Sequence, residues 1–95
     1  MTLEKLLALY YCQQALQLCQ EARILRNEKH YEEAAELCFF ISTICMENED
    51  ESCKREAKLC ASSAKHLKNG NYSQAEKLCE EARRICLKNY ELRGS

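Results

Sequence analysis

Eight cysteines fall in four pairs with six residues between the members of each: CQQALQLC (12–19), CFFISTIC (38–45), CKREAKLC (53–60) and CEEARRIC (79–86). No cysteine lies outside the pattern. Seven residues on an α-helix advance about 700°, some 20° short of two turns. Both thiols of a pair therefore share one helix face, about 10.5 Å apart along the axis. Four such pairs on four helices would turn their sulfurs inward, toward a common interior.

The pairs are part of a repeat. Shifted by 41 residues the chain overlays itself: Cys12, Cys19, Cys38 and Cys45 fall on Cys53, Cys60, Cys79 and Cys86. Leu18 falls on Leu59, Tyr31 on Tyr72, Ala34 on Ala75, Leu37 on Leu78 and Asn48 on Asn89. A period of this length marks a helical unit used twice. Apolar residues recur at helical spacing, and predict helices over Leu3–Asn27, Tyr31–Glu47, Glu51–Lys68 and Tyr72–Asn89. Asn69-Gly70-Asn71 reads as a C-cap and turn, and Asn27-Glu28-Lys29-His30 as its counterpart. Asn48 followed by Glu51 reads as a capping box that opens the third helix. With no proline and two glycines, the connections should be short. The expected fold is all-α: one domain over 1–95, built of two tandem antiparallel helical hairpins (about 3–48 and 51–90). The hairpins either stack as a solenoid or close as a four-helix bundle.

The second copy carries Ser63, Gly70, Tyr72, Ala75 and Ala82, the small–G-x-Y-x-x-A–alanine pattern of a tetratricopeptide repeat, which it resembles. The first copy keeps Ala22, Tyr31 and Ala34, with Lys29 in place of the glycine and Ile41 in place of the later alanine. The period is seven residues longer than that family's. The resemblance implies a solenoid of helix pairs with a concave face for a peptide or protein. The cysteines are not part of that family's pattern.

The thiols need their own account. Facing residues of an antiparallel hairpin have a constant sum of residue numbers. Cys12–Cys45 and Cys19–Cys38 share one sum, and Cys53–Cys86 and Cys60–Cys79 share another. A disulfide needs Cα atoms about 4.4–6.8 Å apart, closer than most packed helices allow. Small neighbours such as Ala15, Ala22, Ala34, Ala57, Ala64, Ala75 and Ala82 permit that approach. The spacing thus predicts disulfides Cys12–Cys45, Cys19–Cys38, Cys53–Cys86 and Cys60–Cys79. Each outer loop would contribute roughly 3–4 kcal/mol, useful to a domain this small. The disulfide reading expects an oxidising or extracellular setting, or a thermophile's cytoplasm. Paired cysteines on a helical hairpin are similar in architecture to the twin C-x9-C proteins, which use a longer spacing.

The same register admits a rival. The second and third helices also align through Cys45–Cys53 and Cys38–Cys60. In a closed bundle the thiols would form two layers, Cys12, Cys45, Cys53 and Cys86 in one and Cys19, Cys38, Cys60 and Cys79 in the other. Such layers could hold Cu, Zn or an Fe–S cluster. Copper-storage four-helix bundles look similar in outline, although they favour C-x-x-x-C, which is absent here along with C-x-x-C.

The remaining signals narrow the function. The formal net charge of −1, with both signs mixed, gives no reason to expect nucleic acid or an anionic membrane. No apolar run approaches the ~18 residues of a membrane span. The opening MTLEKLLALYY lacks the basic leader of a signal peptide. No nucleophile–base pair or phosphate loop suggests an enzyme. His30 and His66 fall at turns, and Glu32, Glu33, Glu36, Glu80 and Glu81 read as solvated charge. Leu3, Leu6, Leu7, Tyr10 and Tyr11 on the first helix, with Phe39 and Phe40 on the second, exceed what one core stripe needs. They mark either cover for the seam between hairpins or a surface for a protein partner, a second copy included. The leading expectation is a disulfide-stapled helical-repeat module for protein binding or self-association; the alternative is a thiolate metal-binding bundle.

Overall fold

Helical periodicity runs through the chain, and four helices form where it is strongest. A computed structural model describes residues 2–48 and 50–94. Helices α1 (Leu3–Asn27), α2 (Tyr31–Met46), α3 (Glu51–Lys68) and α4 (Tyr72–Gly94) account for nearly all of them, with no strand among the described residues. α1 and α3 span the predicted residues. α2 ends one residue sooner, and α4 runs five residues beyond Asn89.

Local chemistry sets the boundaries. Thr2 caps α1 by accepting from the Lys5 amide at 3.3 Å. α3 is capped by Asp50, whose carboxylate accepts from the Ser52 amide at 2.8 Å. The Asn48–Glu51 box is therefore replaced by a shorter cap; Asn48 is itself buried. Each hairpin turns through one left-handed residue, Lys29 at φ 66° in the first and Gly70 at φ 80° in the second. These are the same position of the repeat, and only the second copy places glycine there.

The arrangement is a closed ring: α1 packs on α2, α2 on α3, α3 on α4 and α4 on α1. Among the described residues, no Cα of α1 lies within 8 Å of α3, nor any of α2 within 8 Å of α4. This is the four-helix bundle, with α1 and α3 on one diagonal and α2 and α4 on the other. Stacked hairpins would instead set α1 beside α3 and leave α4 apart from α1.

Small residues make the close sides of the ring. Ala22, Ala34, Ala35, Ser63, Ala64, Ala75 and Ala82 are fully buried. Ser63 donates to the Ala75 carbonyl at 2.8 Å, tying α3 to α4. Ion pairs sew the outer seams: Arg23 and Arg26 of α1 reach Glu80 of α4 at 3.5 and 3.6 Å, and Arg55 reaches Glu81 at 2.8 Å. Glu80 and Glu81 are thus partnered across helices rather than simply solvated.

Candidate functional site

A heptad spacing puts both cysteines of a helix on its inner face, and four inner faces converge on the bundle axis. All eight thiols are buried, none more than 5% exposed. They interleave with Ala15, Ala22, Ala34, Ala57, Ala64, Ala75 and Ala82, so the interior of this bundle is small side chains and sulfur.

No disulfide is formed: all eight cysteines are free. The expected bridges Cys12–Cys45, Cys19–Cys38, Cys53–Cys86 and Cys60–Cys79 run along hairpin sides of the ring. The sulfurs turn instead toward the axis and meet across it. Cys53 acts on Cys12, Cys19 on Cys60 and Cys79 on Cys38, each lying close enough to shift that thiol's titration. Each pair joins diagonal helices, and each joins the two copies of one repeat position. The hairpins are therefore related by an approximate two-fold along the bundle axis, and a thiol meets its own counterpart there.

The fourth counterpart pair is different. Cys45 donates to the Glu56 carboxylate at 3.1 Å, and Cys86 lies on the same carboxyl. Glu56 is 2% exposed and stands where the first hairpin has Ala15. A carboxyl thus bridges the rung that would otherwise be thiol to thiol. The Cys86 thiol also donates to the Cys12 carbonyl at 3.5 Å. Cys86 interacts in turn with Cys53 and Cys19, and Cys19 with Cys38. The thiols therefore form a column of pairs in the order Cys12/Cys53, Cys45/Cys86, Cys19/Cys60, Cys38/Cys79. The expected four-thiol layers resolve into pairs, and among the described residues no group of three or more Cys, His, Asp or Glu is placed to enclose one metal ion.

An arginine stands at each end of the column. Arg93 of α4 places a guanidinium nitrogen 3.7 Å from Cys53 Sγ and 3.1 Å from the Asp50 carboxylate, and Asn89 donates to the same sulfur at 3.5 Å. At the other end Arg26 is buried beside the Cys38/Cys79 pair, where its charge acts on both thiols. Its Nη1 has no hydrogen-bond partner, nor has Nε of Arg93.

These surroundings sort the thiols. The hydrogen bond from Cys12, then Arg93, brings Cys53 down to about 6 against the cost of burial. The hydrogen bond from Cys38, then Arg26, brings Cys79 down to about 7 against the same cost. Their donors Cys12 and Cys38 are pushed up, first by making that hydrogen bond and then by burial. Cys60 is pushed up by its bond to Cys19 and by burial. Burial and then the Glu56 charge push up Cys45 and Cys86. Burial raises Glu56 itself to about 7, against its hydrogen bonds from the two thiols.

The expected interaction surface divides. Leu3, Leu6, Leu7 and Tyr10 are exposed on α1, and Tyr11 is half-buried. Tyr11 and Leu7 line an open cleft of about 610 Å³ together with Asn48, Asp50 and Arg93. Phe39 packs on the core beneath the Lys68 ammonium, 5.5 Å from its ring, and so covers the α2–α3 seam. Phe40 alone of the two is exposed. No helix is long and apolar enough to cross a membrane among the described residues.

Glu56, Arg26 and Arg93 are the site residues that the sequence reading missed. Glu56 was within reach: it lies three residues after Cys53 and four before Cys60, on the cysteine face, and overlays Ala15 under the 41-residue shift. The arginines carried no such signal, since each belongs to one hairpin only. Comparison with known protein families, curated proteins and solved structures finds no match for this chain.

Proposed function

We propose that the chain is a soft-metal thiolate protein that binds Cu(I), or an ion of the same class, between pairs of cysteines across the bundle axis. One observation carries the reading. Three counterpart pairs, Cys12/Cys53, Cys19/Cys60 and Cys38/Cys79, face each other, and Cys45/Cys86 share the Glu56 carboxyl, from helices whose Cα atoms stand more than 8 Å apart, beyond the roughly 4.4–6.8 Å of a disulfide. That separation is too wide for a direct sulfur–sulfur bond unless the helices move, and a two-coordinate ion between the sulfurs is the link that needs no such approach. Thiolates suit Cu(I), zinc and iron–sulfur clusters, and of these Cu(I) is the one that accepts two ligands. Zinc and iron–sulfur clusters ask for three or four protein ligands around one centre, and the thiols here gather in twos.

Burial suits such a role. Sulfurs shielded by helices are protected from oxidants and from exchange with other thiols. One thiol of each end pair is already lowered, Cys53 to about 6 and Cys79 to about 7, and so gives up its proton near neutrality. Anaerobic titration of the reduced protein with a Cu(I)–bicinchoninate complex tests the reading. Uptake should saturate at about four ions per chain, one for each pair among eight cysteines, and should vanish when the thiols are alkylated in denaturant before refolding. Failure of the reduced protein to withdraw Cu(I) from the chelator would overturn it.

A role in protein binding or self-association rests on a separate observation, the exposure of Leu3, Leu6, Leu7 and Tyr10 along one end of α1. Sedimentation at two protein concentrations tests that reading. It holds if the mass rises with concentration and falls to monomer on Leu6→Glu.

A further inference from the structure

The two ends of the thiol column differ from its middle, and the difference is charge. We infer that Cys12/Cys53 and Cys38/Cys79 are the tight, first-filled metal sites, each made so by its arginine, and that the two inner pairs fill last. This rests on the proposed metal binding and adds to it an order and a cause.

The balance of each step shows why. Two thiols lose two protons to solvent, two sulfurs each donate an electron pair to one monovalent ion, and the chelator is released. The product, one cation between two thiolates, carries one net negative charge inside a poorly polarisable core. An unbalanced buried charge is costly, and a fixed opposite charge beside it removes most of that cost. Arg93 supplies that charge at one end, 3.7 Å from Cys53 Sγ. Arg26 supplies it at the other, buried and with Nη1 unpartnered in the present state.

The flanking groups bear on the balance. Asp50 at 3.1 Å takes up part of the Arg93 charge, and Glu80 at 3.6 Å takes up part of that of Arg26, with Arg23 restoring some of it. Each end therefore retains a cation over its pair. Neither arginine stands over the inner pairs, and Arg83 of α4, three residues before Cys86 and with its own buried Nε unpartnered, is not among the charges that act on Cys45, Cys60 or Cys86. Cys45/Cys86 face the Glu56 carboxyl, and the same carboxyl acts on Cys60 of the remaining pair. A second anion there meets a group of like sign rather than a guanidinium.

Cysteine Cβ resonances in the folded chain report directly which sulfurs hold the diamagnetic ion. With about two equivalents of Cu(I) per chain, the Cβ signals of Cys12, Cys53, Cys38 and Cys79 should move while those of Cys19, Cys60, Cys45 and Cys86 stay. Arg93→Gln should weaken the Cys12/Cys53 pair roughly tenfold and let Cys38/Cys79 fill ahead of it. Arg26→Lys, which keeps the charge, should preserve the order. Movement of an inner pair first, or of all four pairs together, overturns the inference in the unaltered protein, as does an unchanged order in folded Arg93→Gln. Absence of any uptake would instead overturn the metal reading beneath it, so the two failures are distinct.

Discussion

Tyr31 and Tyr72 occupy one position of the two hairpins, and their rings stack at a centroid separation of 3.7 Å, 13° from parallel. They open α2 and α4, which face each other on a diagonal. Two copies of a residue can stack in this way only near the axis that relates them. The pair therefore marks the two-fold at the hairpin-turn end of the bundle, where the counterpart thiols mark it inside.

The stack should be worth measuring as a unit. Aromatic pairs contribute about 0.5–1.5 kcal/mol beyond the area they cover. Tyr31→Ala and Tyr72→Ala should each lower stability by about 1–2 kcal/mol in urea unfolding. The double substitution should cost clearly less than the two added together, because the second removal has no partner left to lose. Strict additivity would show that the rings contribute independently.

Lys29 and Gly70 offer a second comparison within one molecule. Both are left-handed, at φ 66° and 80°, and only Gly70 adopts that conformation without strain. A side chain there costs roughly 1–2 kcal/mol. Lys29→Gly should stabilise the protein by about 1 kcal/mol. Gly70→Ala should destabilise it by a similar amount, although no atom lies within 4 Å of the added methyl. Thermal melting of both variants checks the pair of opposite signs.

Glu56 gives the protein a pH signature. Its folded-state value of about 7 lies above the ordinary 4.5, so the folded chain holds a proton that the unfolded chain releases. Stability should therefore fall as pH rises from about 4.5 to about 7, by an amount on the order of 2–3 kcal/mol. Cys53 and Cys79 act in the reverse sense. Their folded values of about 6 and about 7 lie below the ordinary 9.0, so stability should recover as pH rises from there toward 9. Urea midpoints across this range should trace a minimum near neutrality. Glu56→Gln should remove the falling limb and leave the rising one; a limb that persists in that variant would assign it to another group.

Much of this architecture is legible before any coordinates. The helices follow from heptad-spaced cysteines and alanines, and the turns from Asn69-Gly70-Asn71 and its degenerate copy at Asn27–His30. The inward direction of Cys86 also follows, because the apolar stripe and the cysteine pair coincide on α2, α3 and α4; on α1 the pair Cys12 and Cys19 lies toward the edge of the stripe. What spacing leaves open is the partner of each thiol. Cys12 is in register with Cys45 on its own hairpin and equally with Cys53 on the diagonal. Register fixes height along the axis and says nothing about the angle from which a sulfur approaches it. That angle depends on ring closure between α1 and α4, a contact between the two ends of the chain. Arg26–Glu80 and Arg93–Asp50, the charged contacts that accompany this closure and the column's ends, belong to no repeat and leave no periodic trace.

The width of the diagonal makes a last prediction about oxidation. Cα atoms of α1 and α3 stay beyond 8 Å, as do those of α2 and α4, whereas a disulfide requires about 4.4–6.8 Å, so a bridge across a diagonal is excluded. Along the hairpin sides, where the helices do approach within 8 Å, the thiols are free and protection rests on shielding. The sulfurs are also shielded, each thiol being at most 5% exposed, and attack by an external disulfide requires access. Folded protein held in oxidised glutathione should therefore keep the mass of its fully reduced form, and its thiols should react with a maleimide only when denaturant is added. Chain that is unfolded first should oxidise readily, since its cysteines are then free to approach. A loss of about 2 Da per bridge from the folded protein would show that the helices yield, and would remove the reason for placing a metal ion, rather than a covalent bond, between Cys12 and Cys53.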